Sequence, residues 1–140
     1  MTPIEFYHSE LEKYRNSREY RLIKDHFKKM ENAPFVCPRA VCADGFSFSM
    51  QASKYHYSIP CVTGHSYYDA MEIGYLSDEE PLLDKYKEHD LYFKHPVYMA
   101  VAYVDIEKMV GKHGGIVGPE DRPYRASYHT LPYIQDKKAR

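Results

Sequence analysis

Cys37, Cys42, Cys61 and His65 are the side chains best spaced to hold a metal ion. Two thiols with four residues between them and a Cys-x-x-x-His pair would close a tetrahedral zinc site if the chain folded back to join them. The alternative is that Cys37 and Cys42 are small hydrophobes entering a strand, with Cys61 in a loop. One reading expects structural zinc at these four positions, the other no cofactor. Three cysteines cannot all pair within one chain, which fits a reducing, cytoplasmic compartment where thiols stay free.

The eight histidines are scattered. His56-Tyr57-Ser58 matches one half of a two-histidine phosphoesterase signature, in which an imidazole stands beside a phosphate-binding hydroxyl, but no second half follows. Ser47, Ser49, Gln51 and Ser53 alternate with apolar residues just before it and would give a hydroxyl-rich strand face. That face suits a small nucleotide- or phosphate-handling enzyme built around His56, or simply lies in solvent. No His-Glu-x-x-His helix or Gly-x-Ser-x-Gly elbow is present. Gly111-Lys112-His113-Gly114-Gly115 follows a helical pattern, so it reads as a C-cap and not as a phosphate loop.

A net charge of -1 argues against a surface built throughout for nucleic acid. Arg18, Arg21, Lys24, Lys28 and Lys29 recur at roughly helical spacing, but Glu19, Asp25 and Glu31 interrupt them, so direct nucleic-acid binding is not favoured. The charge is uneven: eight acidic residues stand against Lys85 and Lys87 from Asp69 to Asp90, whereas Arg122 to Arg140 holds five basic residues against Asp136. Fifteen tyrosines and no tryptophan supply rings with polar tips, which suit contact patches. Asp78, Glu79, Glu80 and Asp84, with Tyr124, Arg125 and Tyr128 in the tail, are therefore the candidate partner-binding residues. Tail-to-middle pairing of two copies would be one use of such a split.

These residues need a scaffold, and 140 residues suffice for one domain with its own core. Thr2-Pro3-Ile4-Glu5 is a capping box that opens a helix, Asn16-Ser17 marks a break, and Asn32-Ala33-Pro34 ends the helical region. Phe46 to Ala52 alternates as a strand, 54 to 67 is a long hairpin loop, and Tyr68 to Tyr75 returns as a second strand with Met71, Ile73 and Tyr75 inward. Ser77 to Glu80 reads as a second capping box, opening a helix from Leu82 to about Glu88. Val97 to Val104 is apolar on both faces, as in a central strand. Asp105 would cap a helix from Ile106 to His113 ended by Gly114-Gly115. The expected fold is α+β: N-terminal helices on a small, mainly antiparallel sheet of about three strands, two short helices and an extended C-terminal tail. In chain order this is a helical region over 1–33, a core over 34–117 and a tail over 118–140. No apolar run is long enough for a membrane helix, and the first thirty residues are too charged for a secretory signal.

Asp44 to Ser53, Met71-Glu72-Ile73-Gly74-Tyr75, Glu80-Pro81-Leu82-Leu83, and Ile106 to Val110 with Lys112 to Ile116 together form a texture that resembles small proteins encoded by bacterial phages, prophages and integrative elements. The likeness covers roughly residues 36 to 117. It implies an accessory protein in a bacterial host cell. The expected action is non-enzymatic: binding that inhibits a host defence protein or ribonucleoprotein complex, as anti-CRISPR proteins do. A small enzyme and a zinc-stabilised nucleic-acid- or protein-binding module are the alternatives.

Overall fold

Thr2 opens the first helix as its sequence requires: its hydroxyl accepts from the Glu5 N–H, and Glu5 accepts from the Thr2 N–H. The computed structural model describes residues 1–26, 35–86 and 97–121. Helix α1 runs Pro3–Arg15, Asn16 caps it, and α2 follows over Arg18–His26. Strands β1 (Ala40–Cys42), β2 (Ser47–Gln51) and β3 (Ala70–Gly74) come next, then a 3-10 helix, η1 (Pro81–Tyr86). Strand β4 (Val97–Ala102), helix α3 (Tyr103–Lys112) and β5 (Ile116–Pro119) complete the described chain. The class is α+β, but the sheet has five antiparallel strands, ordered β4-β3-β2-β1-β5, and not about three.

Register decides which side chains share a face. Met50 lies opposite Ile73 and Ile73 opposite Tyr98, while Met71 pairs with Val101, Ala40 with Phe48 and Cys42 with Ile116. Paired residues project to the same side of a sheet, so these nine form one apolar face, and all are buried. Phe6, Tyr7 and Leu11 of α1 and Ile106, Met109 and Val110 of α3 complete the same core. Burying each large apolar side chain contributes about 1.5–3 kcal/mol.

Several expectations shift. The strand expected to run to Val104 stops at Ala102, because α3 begins at Tyr103 with Ala102 as its N-cap. Asp105 is therefore inside the first turn and does not cap it. Residues 81–86 coil as a 3-10 helix, and Ser77 does not close a capping box: its hydroxyl accepts from the Ser47 N–H at 2.9 Å. Tyr75, at φ 52°, ends β3 instead of pointing inward as a strand residue. Part of the expected tail pairs with β1 as β5, across the 117–118 boundary drawn from sequence. That tail from Arg122 on lies outside the described residues, as do Phe27 to Pro34 and Lys87 to Pro96.

Gly114 and Gly115 end α3 with φ of 89° and 88°. Their N–H groups donate to Gly111 and Val110 carbonyls, as the C-cap reading requires. A Cβ on Gly114 would come within 2.9 Å of the Ala43 Cβ. Gly114→Ala should therefore combine left-handed strain with a clash and cost about 2 kcal/mol, read by urea unfolding. Gly115→Ala meets nothing within 4 Å and should cost less.

Candidate functional site

The segment joining β3 to η1, together with η1 itself, carries the acidic residues picked out in the sequence, and the structure divides them into two roles. Glu80 is buried, so it is not part of an exposed binding surface. Its carboxylate pairs with Lys112 Nζ at 2.8 Å and with His113 Nε2 at 2.9 Å. The other ring nitrogen of His113 meets Asp44 at 2.6 Å, and the ring stacks on Phe46 with centroids 4.0 Å apart. With both nitrogens facing carboxylates, the arrangement suits the doubly protonated imidazolium. Burial alone would depress the His113 pKa, but Asp44 and Glu80 outweigh it and raise it. Burial likewise opposes ionisation of Glu80, yet Lys112 and His113 hold its pKa below the usual value. The Phe46 N–H and then His113 lower Asp44.

The other end of η1 is tied to the start of α3. Tyr86 donates to Asp105, Lys85 pairs with Asp105 at 3.1 Å, and the Ala102 N–H donates to the Tyr86 hydroxyl at 3.3 Å. Between the two ties Leu83 is fully buried. The segment is fixed at both ends and in its middle, so the side chains it turns outward are held in place. These are Asp78, Glu79 and Asp84, around Leu82, which is 37% exposed. None of the three carboxylates has a hydrogen bond or ion pair among the described residues. After burial, Asp84 and Glu79 are what raise the phenol pKa of Tyr98, so both carboxylates act on one small region. The site is an acidic knuckle with an apolar tip. Tyr124, Arg125 and Tyr128, the tail part of the candidate set, lie outside the described residues.

The hydroxyl-rich strand face does not reach solvent. Ser47, Ser49, Gln51 and Ser53 are buried. Arg39 donates to Ser47, Gln51 donates to Ser49, and the Gln51 amide clasps the Cys37 N–H and C=O at 2.8 Å each. Ser53 accepts from the Tyr55 N–H and meets His56 Nδ1 at 2.5 Å, and Ser58 donates to the Pro60 carbonyl. Ser47, Ser49 and Gln51 thus tie β2 to the stretch before β1, Ser53 and Ser58 serve the turn after β2, and together they present no open hydroxyl row for a phosphate. Alternation in the sequence reveals two faces without revealing what covers either.

Of the proposed zinc set, Cys37 and Cys42 are buried in the core, where burial pushes both thiols up, Cys42 to about 11. Cys61 is exposed and donates to the Ser58 carbonyl, and His65 Nδ1 meets the Tyr67 carbonyl at 2.7 Å. Among the described residues no three His, Cys, Asp or Glu side chains converge as a metal site. Arg18, Arg21 and Lys24 are exposed on α2, whereas Lys28 and Lys29 lie outside the described residues. No described helix is long and apolar enough to cross a membrane.

Comparison of the chain with protein-family models, curated proteins and solved structures finds no match.

Proposed function

We propose that this chain is a non-enzymatic binding protein that presents the acidic knuckle to a basic surface of a protein or ribonucleoprotein partner. The observation that carries the reading is the division of charge. Glu80 and Asp105 are neutralised inside the fold, and this fixes Asp78, Glu79 and Asp84 around Leu82 in a group that has no ion-pair partner among the described residues. Pre-set charge around an apolar tip favours fast, oriented association with a cationic groove, and little ordering entropy is lost on binding. Together with the resemblance to proteins of phages and integrative elements, the reading becomes inhibition of a host defence complex of the CRISPR effector type, by occupying its nucleic-acid channel.

The test is inhibition of nucleic-acid cleavage by purified, guide-loaded CRISPR effectors at increasing salt, with the Asp78→Lys/Glu79→Lys/Asp84→Lys variant alongside. The native chain should inhibit at low salt. The variant should need at least about tenfold more protein, while its melting temperature stays close to native because all three positions are exposed. Inhibition that the reversal leaves unchanged would remove the knuckle from the mechanism. Absence of inhibition across effector classes would remove the reading.

A further inference from the structure

A second surface lies at the start of α3, the opposite end of that helix from Lys112 and His113. Ile4 of α1, Tyr67 and Asp69 before β3, and Tyr103, Val104 and Glu107 of α3 are among the residues lining a cleft of about 370 Å³. Its walls are apolar and aromatic: Tyr67 is 62% exposed and Val104 55%. Tyr103 is fixed in the wall, because its hydroxyl accepts from the Ile4 N–H at 3.2 Å and its own N–H donates to the Asp69 carbonyl at 2.9 Å. The side chains of Asp69 and Glu107 carry no hydrogen bond or ion pair among the described residues.

The lining chemistry separates the possible occupants. An anion would lie beside two carboxylates, with no Lys or Arg among the described residues that line the cleft. A neutral apolar group would match the walls but leave the two exposed carboxylates beside it without a partner. A cation on an aliphatic stem satisfies every wall: the stem lies on Ile4 and Val104, and the head rests on a tyrosine face and against a carboxylate. Guanidinium does this best, since it is planar, weakly hydrated and able to stack and to donate in a fork at the same time. The volume is at the lower end for a ligand site and suits one or two side chains.

We infer that this cleft receives an arginine side chain from an exposed segment of a partner protein. The inference does not depend on the acidic knuckle, which uses different residues.

Fluorescence anisotropy of a labelled Gly-Gly-Arg-Gly-Gly peptide, titrated with the full chain at low salt, tests it. Saturable binding is expected. Replacing arginine by citrulline, which keeps the shape and removes the charge, should weaken binding about tenfold, as should Asp69→Asn/Glu107→Gln. Tyr67→Ala should weaken binding to both peptides by removing a wall. Because Asp69, Glu107 and Tyr67 are exposed, far-ultraviolet circular dichroism should match the native chain. Equal binding of the citrulline peptide, or native affinity in the neutralised variant, would overturn the inference. A chain with its tail arginines and lysines changed to glutamine serves as a further arm. Tighter peptide binding by it would name the chain's own tail as occupant and overturn the assignment to a partner.

Discussion

Tyr7→Ala should destabilise the protein by about 4 kcal/mol in urea unfolding, the largest effect expected of any single truncation in α1. Tyr7 is fully buried and lies edge-on to both Phe35 and Tyr68. Its hydroxyl donates to the Ala52 carbonyl at 2.6 Å and accepts from the Gly64 N–H at 3.3 Å, so one side chain joins the start of the long loop between β2 and β3 to its later part. Tyr68 holds the same loop from the other side, donating to the Val62 carbonyl and accepting from the His65 N–H. Tyr7→Phe keeps the ring and leaves those two backbone groups without this partner, so it should cost only about 1–2 kcal/mol. A loss under about 1 kcal/mol for Tyr7→Ala would mean that α1 is not part of the cooperative core.

The second large effect concerns the Glu80 anchor. Lys112→Met/His113→Ala strips both cationic partners from a buried carboxylate and should cost about 3 kcal/mol. Part should return in Glu80→Gln/Lys112→Met/His113→Ala, where no charge needs solvation. The same cluster sets a pH profile. His113 has a raised pKa when folded, so its contribution is complete below the ordinary value of 6.5 and is lost as pH climbs through the folded value. Glu80 and Asp44 have lowered pKa values, so theirs are present above the ordinary 4.5 and 3.8 and are lost as pH falls through the folded values. Their joint contribution is greatest between 4.5 and 6.5. His113→Phe keeps the stack on Phe46 and should flatten the decline in melting temperature on the alkaline side. An unchanged decline would show that the clamp does not govern it.

How far the sequence revealed this fold depends on the range of the signal. The Thr2–Glu5 cap was legible because both halves lie within one turn, and β2 and the centre of β3 because five alternating residues suffice to show a period of two. Strands β1 and β5 have three and four residues, too few for a period, and Gly118-Pro119 imitates a break. The start of α3 was hidden inside a continuous apolar run, and its N-cap, Ala102, makes no side-chain capping bond that a sequence pattern could show. Glu80 sat in a local capping pattern, but its true partners lie 32 and 33 residues away. Acidic clustering therefore located the knuckle without distinguishing the residue that fixes it from those it displays. The arginine cleft gave no signal, since its walls come from three separate stretches of chain.

Strand order carries a lesson about assembly. From β4 the chain crosses by α3 to the far border of the sheet, where β5 seats beside β1. Three-residue β1 is an interior strand only because of that late arrival, although nearly the whole core lies in sequence between the two. Nascent chain leaving a ribosome would expose the flank of β1 until every other described strand had been made. Final closure is thus a long-range event that local hairpin zipping cannot complete.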